Sequence, residues 1–150
     1  TPLVPFVRTV KEAELVLQEM ANNGLKRKAN DLSILMMCET PANALLIESF
    51  SQLFDGFSIG SNDLTQLTLG IDRNAAELTP LFNEQDPAVI ALCTLAIKHA
   101  HKASKKIGIC GQGPSDYPDF ANLLLKTGID YISLNADAVL PFLIQHKKED

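Results

Sequence analysis

Cysteine is scarce in this chain: Cys38, Cys93 and Cys110 are the only three, far apart and odd in number. That excludes a disulfide framework and any Cys-x-x-Cys metal or redox site, and it leaves at least one thiol free. Positive charge is also in deficit. The 13 Lys and Arg residues stand against 18 Asp and Glu, giving a formal charge of −5 at pH 7, with no clustered basic face to neutralise a phosphate backbone, so nucleic acid is not an expected partner. No apolar run approaches the ~20 residues that cross a bilayer, and the first residues lack a secretory signal pattern, so no membrane contact is expected and the cytoplasm is the expected compartment. A strand-like run begins two residues after Thr1 without lead-in, which suggests a piece of a longer chain. Repeats and low-complexity segments are missing too. What is present, 46% hydrophobic and 21% charged over 150 residues, suits an ordinary globular domain with a core of its own.

Short apolar runs alternate with helical patterns along the whole chain. Strands are expected at Val4 to Arg8, Ser33 to Cys38, Gly56 to Gly60, Ile107 to Cys110 and Tyr131 to Leu134. Between them, Thr9 with Glu12 opens a helix ending near Asn23-Gly24, and Thr40-Pro41 starts one running to about Leu53. Ser61-Asn62-Asp63 is expected to turn the chain into Leu64 to Leu69, and a polar stretch from Gly70 to Asp86 follows. Pro87 opens a helix to about Lys105, the loop from Gly111 to Pro118 leads to a helix ending at Thr127-Gly128, and the last helix spans about Ala136 to Gln145. Alternating strands and helices, with continuous apolar strands, imply a parallel sheet covered by helices. Two architectures satisfy this: an open doubly wound sheet, or part of an eight-stranded (β/α) barrel, which at ~250 residues is too long to be complete here.

Both architectures bind ligands beyond the carboxyl ends of their strands. Those ends carry Arg8, Glu39, Ser61, Asn62, Asp63 and Cys110. Glu39 and Asp63 stand on adjacent strand ends, and two carboxylates with substrate oxygens suit a hard cation such as Mg²⁺; equally, each acid has an ordinary role beside a helix start. Arg73 can reach over the same mouth toward a carboxylate or phosphate, or sit on a surface loop. Cys110 precedes the turn-rich Gly111-Gln112-Gly113-Pro114-Ser115, which leaves its thiol at the strand tip, where a metal and arginines beside it would ease its ionisation and let it exchange a proton with carbon; a buried, inert thiol is the commoner fate of the residue type. Cys38 and Cys93 belong to apolar faces and are expected to pack. His99, His101 and His146 lack metal-site spacing or carboxylate partners and read as solvated helix surface. The basic residues Lys26, Arg27 and Lys28, and again Lys102, Lys105 and Lys106, read as helix-end charges. Pro114 breaks the glycine pattern that a dinucleotide fingerprint would need.

The segments Pro5-Phe6-Val7-Arg8-Thr9, Met37-Cys38-Glu39-Thr40-Pro41, Phe54 through Gly60-Ser61-Asn62-Asp63-Leu64-Thr65-Gln66 to Asp72-Arg73, and Gly108-Ile109-Cys110-Gly111-Gln112-Gly113-Pro114-Ser115-Asp116 together resemble the C-terminal barrel of the phosphoenolpyruvate-utilising enzymes. The resemblance covers essentially the whole chain, and Gln112 within Gly-Gln-Gly-Pro-Ser is similar to the synthase branch, the dikinase and phosphotransferase-system branches usually carrying glutamate there. It implies a single partial domain over residues 1–150, about five βα units from the C-terminal part of a (β/α)8 barrel that binds phosphoenolpyruvate and pyruvate. It also implies that Glu39 and Asp63 ligate Mg²⁺, that Asn62 and Arg73 hold phosphoryl oxygens, that Gly60 and Ser61 line the site, and that Cys110 exchanges a proton with the substrate methyl carbon. The implied reaction converts pyruvate, ATP and water to phosphoenolpyruvate, AMP and phosphate through a phosphohistidine and a Mg²⁺-bound enolate. The nucleotide-binding and phosphohistidine domains would lie in preceding, missing sequence, so the piece alone should be silent. A homodimer through the barrel is the implied partner arrangement. The alternatives are a relative of pyruvate phosphate dikinase or of enzyme I of the phosphotransferase system, a different Mg²⁺-enolate barrel such as an aldolase or pyruvate kinase relative, or a piece acting only as a dimerisation module.

Overall fold

The computed structural model describes residues 1–72, 75 and 77–145. Five strands form one sheet: β1 (Leu3–Val4), β2 (Leu35–Cys38), β3 (Gly56–Gly60), β4 (Lys106–Cys110) and β5 (Tyr131–Ile132). Between them run α1 (Val10–Asn22), α2 (Pro41–Leu45), α3 (Ile47–Phe50), α4 (Ser61–Leu69), α5 (Pro87–Lys102), α6 (Gly113–Asp116), α7 (Pro118–Thr127) and, after β5, α8 (Ala136–Gln145). Single 3₁₀ turns occupy Ala29–Asp31 and Thr79–Leu81.

The spatial order is β1-β2-β3-β4-β5, every pair parallel. That order decides between the two architectures left open by the sequence. A doubly wound sheet reverses direction at a switch point, whereas a chain that steps to the next position each time is winding the wall of a barrel.

Strand side chains alternate between two faces. Val4, Met36, Cys38, Phe57, Ile59, Ile107 and Ile109 join Ala44, Ile47, Phe50, Val89, Ala96, Ile97, Phe120 and Leu124 of the helices in one core. Each large side chain sealed there contributes about 1.5–3 kcal/mol relative to exposure. The opposite face pairs large residues with glycine. A side chain on Gly56 would meet Leu35, one on Gly60 would meet Met37 and Glu39, and one on Gly108 would overlap the Tyr131 ring. Tyr131 lies across Gly108 and donates its hydroxyl to the Phe57 carbonyl at 3.0 Å.

Several boundaries differ from those read in the sequence, each for a local reason. β1 stops at Val4 instead of Arg8, because Pro5 has no amide to donate and Phe6 adopts φ 51°, leaving the ladder. β2 begins at Leu35 because the Ile34 amide is taken by the Asp55 carboxylate. The helix expected over 41–53 breaks at Leu46 (φ −112°, ψ 20°) into α2 and α3. Ser61-Asn62-Asp63 is not a turn but the first turn of α4. α5 ends at Lys102, since Ser104 takes φ 56° and the Lys105 amide closes back on Ala100. The loop after Cys110 contains the short α6, and β5 ends at Ile132.

The amino end of the sheet is tied by a motif used twice. Asp55 and Asp130, each directly before a strand, give their amides to the Ile34 and Ile107 carbonyls and accept the Ile34 and Ile107 amides on their carboxylates. Arg27 bonds Asp55 at 2.8 Å, and the His101 ring lies 3.0 Å from Asp130. So Arg27 does not serve as a helix-end charge: α1 has no basic residue in its last turn. Nor are the two described histidines merely solvated, since His101 has this carboxylate and His99 lies 4.0 Å from Glu48; His146 falls outside the described residues.

Candidate active site at the carboxyl ends of the strands

Glu39 follows β2 directly and is only 2% exposed. Its position is set by backbone: the Phe6 amide, turned out of the β1 ladder, donates to Glu39 Oε1 at 2.6 Å. Gly60 at the end of β3 makes room for it, because a Cβ there would stand 2.9 Å from Glu39 Oε2. Burial pushes the Glu39 carboxyl above the usual range, the Phe6 amide opposes that, and the charge of Asp63 adds to it. Asp63 belongs to the first turn of α4, whose N-cap is Gly60, so both acids are presented by residues around one glycine.

Met37, Gly60, Ser61, Asn62, Asp63, Cys110 and Gly111 line one pocket of about 90 Å³. Cys110 ends β4 opposite Gly60, partly exposed, with its Sγ 3.5 Å from the Ile59 carbonyl. Gly111 then turns at φ +122°, a conformation that suits glycine, and a side chain there would collide with Ser61 Oγ. Ser61, fully buried, donates to the Cys110 carbonyl at 3.4 Å and ties the β3 and β4 ends together. Cys38 and Cys93 are sealed in the core, and burial raises both thiols, Cys93 to about 12.

The structure thus brings Gly60, Ser61, Asn62, Asp63 and Cys110 to one pocket, with Glu39 buried behind its wall against Gly60. Arg73 lies outside the described residues. Arg8 points elsewhere: its exposed guanidinium bonds Glu12 at 2.9 Å and the Phe6 carbonyl at 3.1 Å.

The chemistry of Glu39 and Asp63 is of the kind Mg²⁺ accepts. Both acids offer hard oxygen donors, and among the described residues neither is ion-paired to a cation. Among those residues no cluster of three or more His, Cys, Asp and Glu side chains could enclose a metal. Two carboxylates leaving the remaining positions to water or substrate oxygens is the arrangement Mg²⁺ favours over a full protein cage.

Two participants, and one buried acid nearby in the fold, escape a reading of the sequence. The Phe6 amide acts through backbone geometry, which residue type does not encode. Asn43 is fully buried behind Glu39. Glu84, inside the stretch expected to be simply polar, is 3% exposed, with its carboxylate 2.8 Å from where a Gly113 Cβ would lie. A capping pattern of Thr40 with Asn43 was the only legible signal among them.

A consecutive parallel sheet with acids and a thiol at its carboxyl ends places the chain among partial α/β barrels, whose ligand sites lie at that end. The family model for the PEP-utilising enzyme, PEP-binding domain, matches residues 1–150, and the chain belongs to that family. It is 58% identical over 138 residues to a phosphoenolpyruvate synthase of Pseudomonas aeruginosa and 56% identical to that of Escherichia coli, covering 92% of this chain and 17% of each relative. The phosphoenolpyruvate synthase of Aeropyrum pernix is 46% identical over 140 residues. In three dimensions the chain resembles an HpcH/HpaI aldolase/citrate lyase family protein from Burkholderia cenocepacia, with a TM-score of 0.64 at 12% identity over 95% of this chain and 61% of the other. That likeness concerns the fold alone.

Proposed function

We propose that this chain is the C-terminal part of the pyruvate-handling barrel of a phosphoenolpyruvate synthase, in which pyruvate, ATP and water become phosphoenolpyruvate, AMP and phosphate. The observation that carries this reading is the meeting of a buried glutamate, an aspartate and a partly exposed thiol around Gly60. The relatives, themselves phosphoenolpyruvate synthases, support the same reading.

Glu39 and Asp63 would hold Mg²⁺, which supplies a fixed positive charge where negative charge develops on substrate oxygens. Glu39 enters with its orientation set by the Phe6 amide and its position by Gly60, so little reorganisation is needed on binding. Asn62 and Arg73 would orient phosphoryl oxygens through their amide and guanidinium donors. Ser61 and Gly111 hold the β3 and β4 ends in register, which fixes the distance from the carboxylates to the thiol. Cys110 exchanges a proton between its sulfur and the substrate methyl carbon, a transfer that requires reach and a matched protonation state. The phosphoryl group would arrive from a phosphohistidine on another part of the longer protein, and exclusion of water at the mouth would direct it to pyruvate.

The test is methyl-proton exchange from pyruvate in the full-length protein. Cys110→Ala is expected to slow exchange by at least ~10²-fold while leaving histidine phosphorylation by ATP intact. Unaltered exchange in that variant removes the cysteine from the mechanism.

A further inference from the structure

Behind Glu39 lies a side chain that the reaction itself does not use. Asn43 is fully buried at the third position of α2. Part of its bonding is ordinary helix capping: Thr40 Oγ1 accepts the Asn43 amide at 3.2 Å, and Asn43 Oδ1 accepts the Thr40 amide at 3.0 Å. Capping accounts for no more than that. Oδ1 also accepts the Glu39 amide at 3.3 Å, and Nδ2 donates to the Val7 carbonyl at 2.6 Å, across 36 residues of sequence.

These two extra bonds matter because of what they join. β1 has already left the sheet at Val4, so beyond that point no ladder hydrogen bond fixes Phe6 and Val7 against the end of β2. Asn43 replaces the ladder there. One amide group grips Val7 on the β1 side and Glu39 on the β2 side, while Phe6, the neighbour of Val7, sends its amide to Glu39 Oε1. The Glu39 carboxylate therefore hangs in a closed loop of bonds: Glu39 backbone, Asn43, Val7, Phe6 and back to Glu39 Oε1. Gly60 closes the remaining side.

We infer that Asn43 is a positioning residue for Glu39: by clasping the β1 and β2 ends it fixes where the Glu39 carboxylate stands and so sets the affinity of the mouth for a divalent cation. This rests on the proposal that Glu39 and Asp63 hold that cation. Groups that orient metal ligands in this way typically contribute 10–100-fold to metal affinity.

The experiment uses the full-length protein without nucleotide, with Mn²⁺ as the probe, free ion followed by electron paramagnetic resonance, and metal-free thermal unfolding recorded on the same samples. Asn43→Ala is expected to weaken Mn²⁺ binding 10–100-fold. Thr40→Ala, which removes only the cap, is expected to lower the melting temperature with Mn²⁺ affinity unchanged. If Asn43→Ala does not fold, Asn43→Asp decides: it keeps the acceptor for Glu39 and Thr40 but loses the donor to Val7. Its binding is expected to weaken even though an added negative charge alone would tighten it. Wild-type affinity in the folded Asn43 variants, with only the melting temperature reduced, overturns the inference. Glu39→Gln separates the two levels. If it abolishes Mn²⁺ binding while Asn43 variants bind normally, only the positioning role falls; if it binds as wild type, the cation reading falls and this inference with it.

Discussion

Glu39 carries an electrostatic cost that the Phe6 amide offsets only in part. Burial and Asp63 raise its carboxyl above the ordinary value of 4.5. A group raised on folding lends stability that is complete below its unfolded value and is lost as the pH climbs through the folded one. Glu39→Gln keeps the acceptor for the Phe6 amide and removes the charge, so it is expected to melt above the wild type at pH 7 without metal, the gap closing toward pH 4. Thermal melts at the two pH values check this; a Gln variant that is less stable at pH 7 contradicts it. Gly60→Ala attacks the same carboxylate sterically. A Cβ at 2.7 Å from Met37 Cε and 2.9 Å from Glu39 Oε2 cannot be accepted in place. The expected loss is about 1–3 kcal/mol, measured by denaturant unfolding, together with loss of pyruvate methyl exchange. The cysteines differ as sharply. Cys38 and Cys93 are buried, whereas Cys110 is partly exposed, so a thiol reagent on the native protein should label Cys110 and reach the other two only after unfolding.

At the scale of elements, the two ends of the sheet do different work. The carboxyl end carries acids at incompletely paired strand tips, while the amino end is locked by the paired Asp55 and Asp130 motifs. Burial would raise the Asp55 carboxyl, but the Ile34 amide and Arg27 outweigh it and hold it below 3.8. A carboxyl lowered on folding lends stability present above its unfolded value and lost as the pH falls through the folded one. Asp55→Ala is therefore expected to cost about 1.5–3 kcal/mol at pH 7, the scale of a hydrogen bond to a charged group, and much less in acid. Chemical denaturation at pH 7 and pH 3 measures it, and an equal loss at both would exclude the ionised form as the cause. The motif lies on the side of a barrel associated with stability, so activity per folded molecule should be unchanged.

At the scale of the whole molecule, the sheet has two open edges and a helix without a floor. Leu3 and Tyr131, on the edge strands, are 38% and 40% exposed, and along α8 Leu140, Leu143 and Ile144 reach 57–75%. Unpaired parallel edges and an apolar helix face invite pairing. The chain spans 17% of its synthase relatives, and in a protein of that length the rest of a barrel would cover these surfaces. The isolated 150-residue chain is accordingly expected to associate in solution and to show no turnover of ATP and pyruvate. A well-behaved monomer by light scattering contradicts the first expectation, and measurable turnover the second. Among the described residues no helix is long and apolar enough to cross a membrane.

How much of this was legible follows from the range of the forces involved. Local rules sufficed for Thr9 capping α1 against Glu12, for Pro87 opening α5, and for Gly128 closing α7 at φ +94°, because caps and turns involve neighbours in sequence. Alternation of strand and helix was likewise readable, and with it the placing of Glu39, Asp63 and Cys110 at strand ends. The order of the strands was not, since a local pattern carries no information on which edge a returning strand joins; only the observed β1-β2-β3-β4-β5 order separated barrel wall from doubly wound sheet. The sequence by itself determined which chemical groups reach the carboxyl ends. Tertiary structure alone decided that Phe6 would leave its ladder to hold Glu39, that Asn43 would bridge to Val7, and that Gly60 would yield its space to a carboxylate, because each depends on a contact between segments that only packing brings together.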